Sequence, residues 1–181
     1  ARAVGLSEVV GVSEASRQLG IPKSSIQTWR ERGYREALER HNIPFDPKLV
    51  AIGGFDDEES FAAIQEIILD GVEFDAVFAG DDDAAMGVVR ALKLTDRLVP
   101  DDVAVVGFDD IPFARYMSPA LTTIRTPIEE VGREAVRQLI RLMNGQQAES
   151  LTLMRTELVV RESCGCKSNF STEQNILSAR R

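Results

Sequence analysis

The stretch that decides the fold runs from Val103 to Thr126 and reads Val-Ala-Val-Val-Gly-Phe-Asp-Asp-Ile-Pro-Phe-Ala-Arg-Tyr-Met-Ser-Pro-Ala-Leu-Thr-Thr-Ile-Arg-Thr. Its first four residues are apolar and predict a strand that is buried on both faces. The strand runs into Gly-Phe-Asp-Asp, which places two carboxylates at the edge where open α/β sheets bind ligands. We therefore expect Asp109 to face a ligand crevice and Asp110 to hold the loop that follows.

Helices and strands alternate on both sides of this stretch. The apolar periodicity predicts a helix over 33–41, a strand Leu49–Ile52, a helix Glu58–Leu69, a strand Ala76–Ala79, a helix Ala84–Leu94, a strand Val103–Val106, a helix Ile128–Met143 and an extended segment Leu151–Val160. Such alternation predicts the α/β class, with a parallel sheet flanked by helices. The last helix has an apolar face too broad to leave in water, so we expect it to have a packing partner.

Three aspartates, Asp81, Asp82 and Asp83, follow the second of the buried strands and open a helix. Carboxylates are favoured there because the first backbone N–H groups of a helix lack partners and the helix dipole is positive at this end. We expect Asp82 to be the N-cap. Asp81 has two interpretations, a ligand contact or part of a solvated loop.

Residues 13–29 fit a helix-turn-helix, because small residues stand where two helices would cross and Gly20 stands at the turn. Pro22 suits the first turn of the second helix. That helix would present side chains able to reach DNA phosphates and base edges, namely Lys23, Ser24, Ser25, Gln27 and Thr28. The alternative is a helical hairpin that packs on the sheet, with Trp29 in the core.

The charge distribution favours a DNA contact at the N-terminal end. The whole chain has a net charge of −8, which argues against a protein that coats nucleic acid indiscriminately. Residues 1–35, however, carry six basic and three acidic side chains. No segment has the length of a membrane helix or the pattern of a secretory signal, so we expect no membrane association.

The two cysteines, Cys164 and Cys166, are too close together for the usual spacing of zinc ligands. We interpret them as reduced thiols of a cytoplasmic protein, without an assigned role. The sequence therefore predicts neither a metal site nor a cofactor.

Several of these elements together resemble the effector-binding domain of the lactose-repressor/galactose-repressor (LacI/GalR) family of bacterial transcription regulators. They are the Gly-Phe-Asp-Asp strand end, the Leu-Thr-Thr element that begins at Leu121, and Arg30 placed three residues before Gly33-Tyr34. The resemblance spans roughly Arg30 to Cys164. It implies the Rossmann-like lobe of a type I periplasmic-binding-protein fold.

The resemblance also implies a ligand site formed by Arg30, Phe55, Asp81 and Asp109, with Asp81 standing where the family has Asn. A guanidinium suits a ligand cleft because its planar fork bridges vicinal hydroxyls or holds a carboxylate. Two alternatives remain open: Arg30 contacts a DNA phosphate, or Phe55 fills the core. Thr122, Thr123 and Ile124 correspond to a hinge between two lobes of the family.

The resemblance divides the chain into a helix-turn-helix-like segment (1–29), an effector-binding lobe (30–166) and a polar tail (167–181). The family's N-terminal lobe is largely missing, and the chain begins at Ala1 without Met. We therefore expect a fragment or a rearranged member. The long helix belongs to the missing lobe in the family, so here it is expected to pack differently, for example across a dimer.

The leading hypothesis is a DNA-binding transcription regulator of LacI/GalR type whose DNA affinity responds to a small effector, a sugar or a related metabolite. A symmetric homodimer on a palindromic operator is expected, because one helix-turn-helix contacts few phosphates. The alternative is a sensor domain of a larger signal-transduction protein without DNA binding of its own, favoured by the C-terminal sequence Arg-Glu-Ser-Cys-Gly-Cys-Lys. A third hypothesis is a self-associating fragment without a ligand.

We do not expect an enzyme. Acidic clusters at 56–57, 81–83 and 109–110 could be imagined around Mg²⁺, but the companion motifs of such sites are absent from the sequence. There is no Gly-rich Walker loop and no Gly-x-Ser-x-Gly element, and the single histidine, His41, stands at the end of a predicted helix.

Overall fold

The computed structural model describes residues 3–7, 33–54, 56–149 and 152–166, and of residues 3–7 only the backbone. The strands of this part are β1 (Ala3–Ser7), β2 (Val50–Ile52), β3 (Ala76–Phe78), β4 (Ala104–Asp109), β5 (Thr122–Arg125) and β6 (Glu157–Val159). They form one sheet in the order β2-β1-β3-β4-β5-β6. Every neighbouring pair is parallel except β5 and β6. The predicted α/β class is confirmed.

The helices of the described part are α1 (33–40), α2 (Asp57–Leu69), α3 (Asp82–Leu94) and α4 (Ile128–Met143), and Pro47–Leu49 and Pro112–Tyr116 form short 3-10 turns. All four helices were predicted. Two of them begin earlier than predicted, because an aspartate caps each one by accepting a hydrogen bond from a backbone N–H of the first turn. Asp56 caps α2, with Glu59 N as the donor, and Asp81 caps α3, with Ala84 N as the donor.

The core lies between the sheet and the pair of helices α2 and α3. Ile64, Val88 and Leu92 are fully buried, and so is Val105 of the sheet. The helices approach closely at Gly87, where an added Cβ atom would lie 2.1 Å from the backbone oxygen of Asp57. Only a residue without a side chain allows this contact.

The strand β4 is buried on one face and half-buried on the other. Val105 and Gly107 are buried on the face toward α3, while Ala104, Val106 and Phe108 are partly exposed. The prediction that this strand is buried on both faces is therefore wrong for the described part of the chain. The run of four apolar residues could not reveal that one face is only half-covered, because Val and Phe are also common on such a face.

The segment after β4 contains a strand that the sequence did not predict. Thr122 and Thr123 belong to β5 and are 2% and 0% exposed. Their role as a hinge stays a prediction, and their described position is in the interior of the sheet. Of the extended segment predicted over Leu151–Val160, the structure describes 152–160, and within that part the strand is Glu157–Val159, which pairs antiparallel with β5.

The N-terminal end holds a second unpredicted strand, since β1 lies between β2 and β3 in the sheet. The helix-turn-helix predicted over 13–29 lies outside the described residues, and so do Arg30 and its five candidate DNA-contacting neighbours, Lys23, Ser24, Ser25, Gln27 and Thr28. The division of the chain into segments 1–29, 30–166 and 167–181 stays a prediction. β1, however, shows that the first of these segments begins within the sheet.

The helix α4 has no buried residue. Its apolar side chains include Ile128, Val131, Leu139 and Met143, which are between 47% and 77% exposed. The apolar face is thus exposed in the described part of the molecule, and its packing partner stays a prediction. None of the described helices is both long enough and apolar enough to cross a membrane.

We predict that Gly87→Ala destabilises the protein by about 1–3 kcal/mol, because the new methyl group forces α2 and α3 apart. Gly132 of α4 provides the matched control, since a Cβ atom added there meets nothing within 4 Å. Gly132→Ala should stabilise the helix by about 0.5–1 kcal/mol, because alanine has less backbone entropy to lose. Urea unfolding of both variants measures the difference. Equal effects would contradict the close helix contact.

Candidate functional site

The candidate site is the edge of the sheet where the parallel strands β1 to β5 end. Three loops with polar or small residues leave this edge: Gly53-Gly54 after β2, Asp81-Asp82 after β3, and Asp109-Asp110 at the end of β4. Because the carboxyl ends of parallel strands share one edge, the structure brings Asp81 and Asp109 to the same side of the molecule, on neighbouring strands. Open α/β sheets bind ligands in this position.

Asp109 ends β4 in an unusual backbone conformation. Its φ is 101°, and that of Asp110 is 57°, so both residues lie in the left-handed region that non-glycine residues seldom adopt. The half-buried Asp109 carboxylate accepts a hydrogen bond from the Thr126 hydroxyl, at 3.0 Å. Strained backbone of this kind is concentrated at functional sites.

Asp110 anchors this loop through two arginines. Its carboxylate, 3% exposed, accepts hydrogen bonds from Arg125 Nε at 2.7 Å and from the Arg161 guanidinium. Burial raises the pKa of Asp110, but the bonds from Arg161 and Arg125 outweigh burial and hold the pKa below its ordinary value. Arg161 also donates to the backbone oxygen of Leu121. The expectation that Asp110 holds the loop is confirmed.

The roles of Asp81 and Asp82 differ from the predicted ones. Asp81 is the N-cap of α3, since its Oδ1 accepts from Ala84 N at 2.7 Å. The prediction that Asp82 is the cap is wrong, because Asp82 is the first residue of the helix and points into the protein. Ligand contact by Asp81 stays a prediction, and its carboxylate is largely buried.

Asp82 is fully buried and joins three parts of the fold. Its carboxylate accepts from the Thr123 hydroxyl of β5 at 2.5 Å and from Ile111 N, in the loop after β4, at 2.8 Å. Gly107 leaves the space that the carboxylate occupies, since an added Cβ atom would lie 2.3 Å from Asp82 Oδ1. Burial, opposed by these hydrogen bonds and reinforced by the charges of Asp110 and Asp109, raises the pKa of Asp82.

No sequence signal identified this role. Asp81 stands four, seven and eleven residues before Ala85, Val88 and Leu92, three of the buried residues of α3. The apolar face of the helix, extended backwards by helical periodicity, therefore reaches Asp81 rather than Asp82, the opposite of what the structure shows.

Arg30 and Phe55 lie outside the described residues. Of the four predicted ligand-binding residues, the structure thus describes Asp81 and Asp109. In the described part of the chain, no three His, Cys, Asp or Glu side chains are placed to hold a metal ion. What the described edge offers is carboxylate oxygens, which accept hydrogen bonds from ligand hydroxyl or N–H groups.

A mostly parallel sheet with carboxylates at its carboxyl edge is the architecture of a ligand-binding lobe. The comparison with protein families specifies it: residues 10–164 match the family described as periplasmic binding protein-like domain. The chain belongs to this family.

The relatives agree with the resemblance to LacI/GalR regulators. The HTH-type transcriptional regulator CelR of Thermobifida fusca is 39% identical over 135 residues, which are 74% of this chain and 40% of CelR. A solved complex of the regulator CelR with cellobiose has a TM-score of 0.76 at 32% identity and covers 90% of this chain and 46% of that one. The structure of a LacI-type transcription regulator from Bifidobacterium animalis has a TM-score of 0.74 at 31% identity. The match covers 90% of this chain and 58% of that one. The chain spans less than half the length of CelR.

We predict that Asp82→Asn changes how stability depends on pH. Because the folded pKa of Asp82 is raised, the folded wild type binds more protons than the unfolded chain from pH 3.8 up to the folded pKa. The contribution of Asp82 to the free energy of unfolding is therefore fully present below pH 3.8 and is lost as the pH rises through the folded pKa. Asn keeps the shape, can accept from Ile111 N and does not ionise.

Relative to the wild type, Asp82→Asn should gain stability as the pH rises, by about 1.4 kcal/mol for each unit by which the folded pKa exceeds the unfolded one. Denaturant unfolding at several pH values measures the gain. Asp110 has a lowered folded pKa, so its contribution to stability is present above pH 3.8 and is lost only as the pH drops below that value. It therefore does not mask the effect of Asp82. Asp83→Asn, at the exposed neighbouring position, should follow the wild type. Parallel curves for wild type and Asp82→Asn would refute a raised pKa.

Proposed function

We propose that this chain is the effector-binding lobe of a DNA-binding transcription regulator of LacI/GalR type, and that its effector is a sugar. One observation carries the proposal: the chain matches CelR along 74% of its length, and a CelR structure of the same fold holds cellobiose. The relatives found are named transcription regulators rather than enzymes, which agrees with a binding function. As a DNA-binding regulator, the whole protein would act in the cytoplasm.

The proposed ligand site consists of Asp109 and Asp81 from the described edge together with Arg30 and Phe55. The Asp109 carboxylate would accept hydrogen bonds from sugar hydroxyls, and one of its oxygens is already oriented by Thr126. A guanidinium can bridge vicinal hydroxyls, and an aromatic ring offers an apolar face to a sugar ring. The two arginines bound to Asp110 are engaged within the fold, which leaves the cationic role of the site to Arg30.

The exposed apolar face of α4 supports a larger assembly. Its side chains would be covered by the other lobe of the complete regulator, as the family resemblance implies, and a homodimer would align two such regulators on a palindromic operator. Effector binding would shift the population of the DNA-competent arrangement, with a coupling free energy of about 1–3 kcal/mol.

The DNA-contacting residues proposed within this chain are Lys23, Ser24, Ser25, Gln27 and Thr28. The second candidate function, a sensor domain without DNA binding of its own, is favoured by the start of the family match at residue 10. The match takes in the whole segment 13–29, so that this segment would belong to the ligand-binding lobe.

We predict that cellobiose, or another disaccharide from a small panel, raises the melting temperature of the chain by mass action. Asp109→Ala should weaken binding about tenfold or more, since a hydrogen bond to a charged group contributes about 1.5–3 kcal/mol. Asp101→Ala serves as the control, because Asp101 is exposed and precedes β4, at the opposite edge of the sheet. Isothermal titration calorimetry compares the two variants. Equal affinity of both variants would remove Asp109 from the site.

We predict that the paired changes Lys23→Ala and Gln27→Ala abolish sequence-selective DNA binding if segment 13–29 reads DNA. A DNA sequence selected from a random pool by the wild type provides the probe for a gel-shift titration. Lys48→Ala removes an equal charge outside this segment and should bind as the wild type does. Failure to select any sequence from the pool would favour the sensor without DNA binding.

A further inference from the structure

Cys164 lies in a tight turn after β6, and Cys166 follows that turn directly. Gly165 N donates to the backbone oxygen of Glu162, at 3.0 Å, and closes the turn. Gly165, the residue between the two cysteines, has a φ of +69°, which lies in the left-handed region and is not extended backbone. Cα atoms two residues apart are separated by at most about 7 Å even in an extended chain, and a bend between them brings the separation into the disulfide range of about 4.4–6.8 Å.

Ser163 fixes this turn against the sheet. Ser163 is fully buried, and its hydroxyl donates to Val105 O at 2.6 Å. The hydroxyl oxygen of Ser163 also accepts from Thr122 N at 2.8 Å. Its carbonyl oxygen accepts from Val105 N at 2.8 Å. Since Val105 lies near the start of β4, the turn sits away from the edge that carries Asp109. The backbone next to Cys164 is therefore held by two strands.

The two thiols have different surroundings and interact with each other. Cys164 is partly buried and Cys166 is exposed. Burial raises the pKa of the Cys164 thiol, but hydrogen bonds from the Thr122 hydroxyl and the Cys166 thiol outweigh burial and bring the pKa below its ordinary value. The bond with Cys164 raises the pKa of Cys166. The lowered pKa favours Cys164 as the attacking thiol, and the raised pKa favours Cys166 as the resolving one.

A tetrahedral metal site is not supported at this turn. Among the described residues no group of three His, Cys, Asp or Glu side chains is placed to bind a metal ion, so the two sulfurs lack further ligands. Thiol chemistry between the cysteines themselves needs no third residue.

We propose that Cys164 and Cys166 form a redox-active dithiol that small-molecule disulfides convert reversibly into an intramolecular disulfide. The Cys164 thiolate attacks one sulfur of the oxidant RS–SR, which forms a mixed disulfide and releases RS⁻. Cys166 then loses its proton and attacks the Cys164 sulfur, which releases the second RS⁻. In sum, two protein thiols are oxidised to one disulfide, and RS–SR is reduced to two RSH.

The test uses the purified chain, oxidised glutathione as the oxidant and N-ethylmaleimide as the thiol label, with intact-mass detection. The chain has two cysteines in all, so the reduced protein should take up two labels. After oxidation it should take up none, carry no glutathione, and remain a monomer on a non-reducing gel. Dithiothreitol should restore both labels. A persistent glutathione adduct, a disulfide-linked dimer or two labels throughout would each overturn the proposal.

Two single variants separate the roles of the thiols. Cys166→Ser should accumulate a stable glutathione adduct on Cys164, because the resolving thiol is gone. Cys164→Ser should react with glutathione several-fold more slowly at neutral pH, although its remaining thiol is the more exposed one. Melting temperatures in reductant show that both variants fold. If Cys164→Ser reacts faster than Cys166→Ser, the assignment of the attacking thiol is wrong.

Discussion

The buried carboxylate of Asp82 is the constraint on which the candidate site depends. It begins α3, accepts from Thr123 in β5 and from Ile111 in the loop after β4, and so joins a helix, a strand and a loop at one point. Gly107 is the residue of β4 that leaves room for it. A buried charged group without partners is very costly, so these parts can hold only the arrangement that supplies both donors. The position of the edge that carries Asp81 and Asp109 follows from this one contact.

A second carboxylate, Asp110, completes the support. Arg125 reaches it from the end of β5 and Arg161 from the segment after β6, so the loop beside Asp109 is tied to β5 and to that segment. Asp109 and Asp110, both with left-handed backbone, therefore lie between fixed points. The pKa values of Asp82 and Asp110 shift in opposite directions. The pKa of Asp82 is raised because its carboxylate is buried with neutral donors, and that of Asp110 is lowered because its donors are cationic.

The sequence allowed the sheet class, the helices and the edge that carries Asp81 and Asp109 to be predicted, because apolar periodicity and strand-end aspartates depend on local residues. It failed where a residue's role depends on distant neighbours. Asp81 and Asp82 have the same chemistry and adjacent positions, and only the fold decides which one caps the helix and which one is buried. The strand β5 was missed because Thr122 and Thr123, polar in sequence, are buried through bonds to Arg161 N and Asp82. β1 was missed because its five residues include Gly5 and Ser7, which are weak strand formers.

The two outermost strands of the described sheet, β2 and β6, have three residues each. A strand so short presents few unpaired N–H and C=O groups, and it gives an added strand from another molecule little to pair with. Growth of the sheet from molecule to molecule is thereby discouraged at both of these borders. Copies of the protein would then meet through side chains, on a surface whose contacts can be selective, and would not extend into an open-ended fibre.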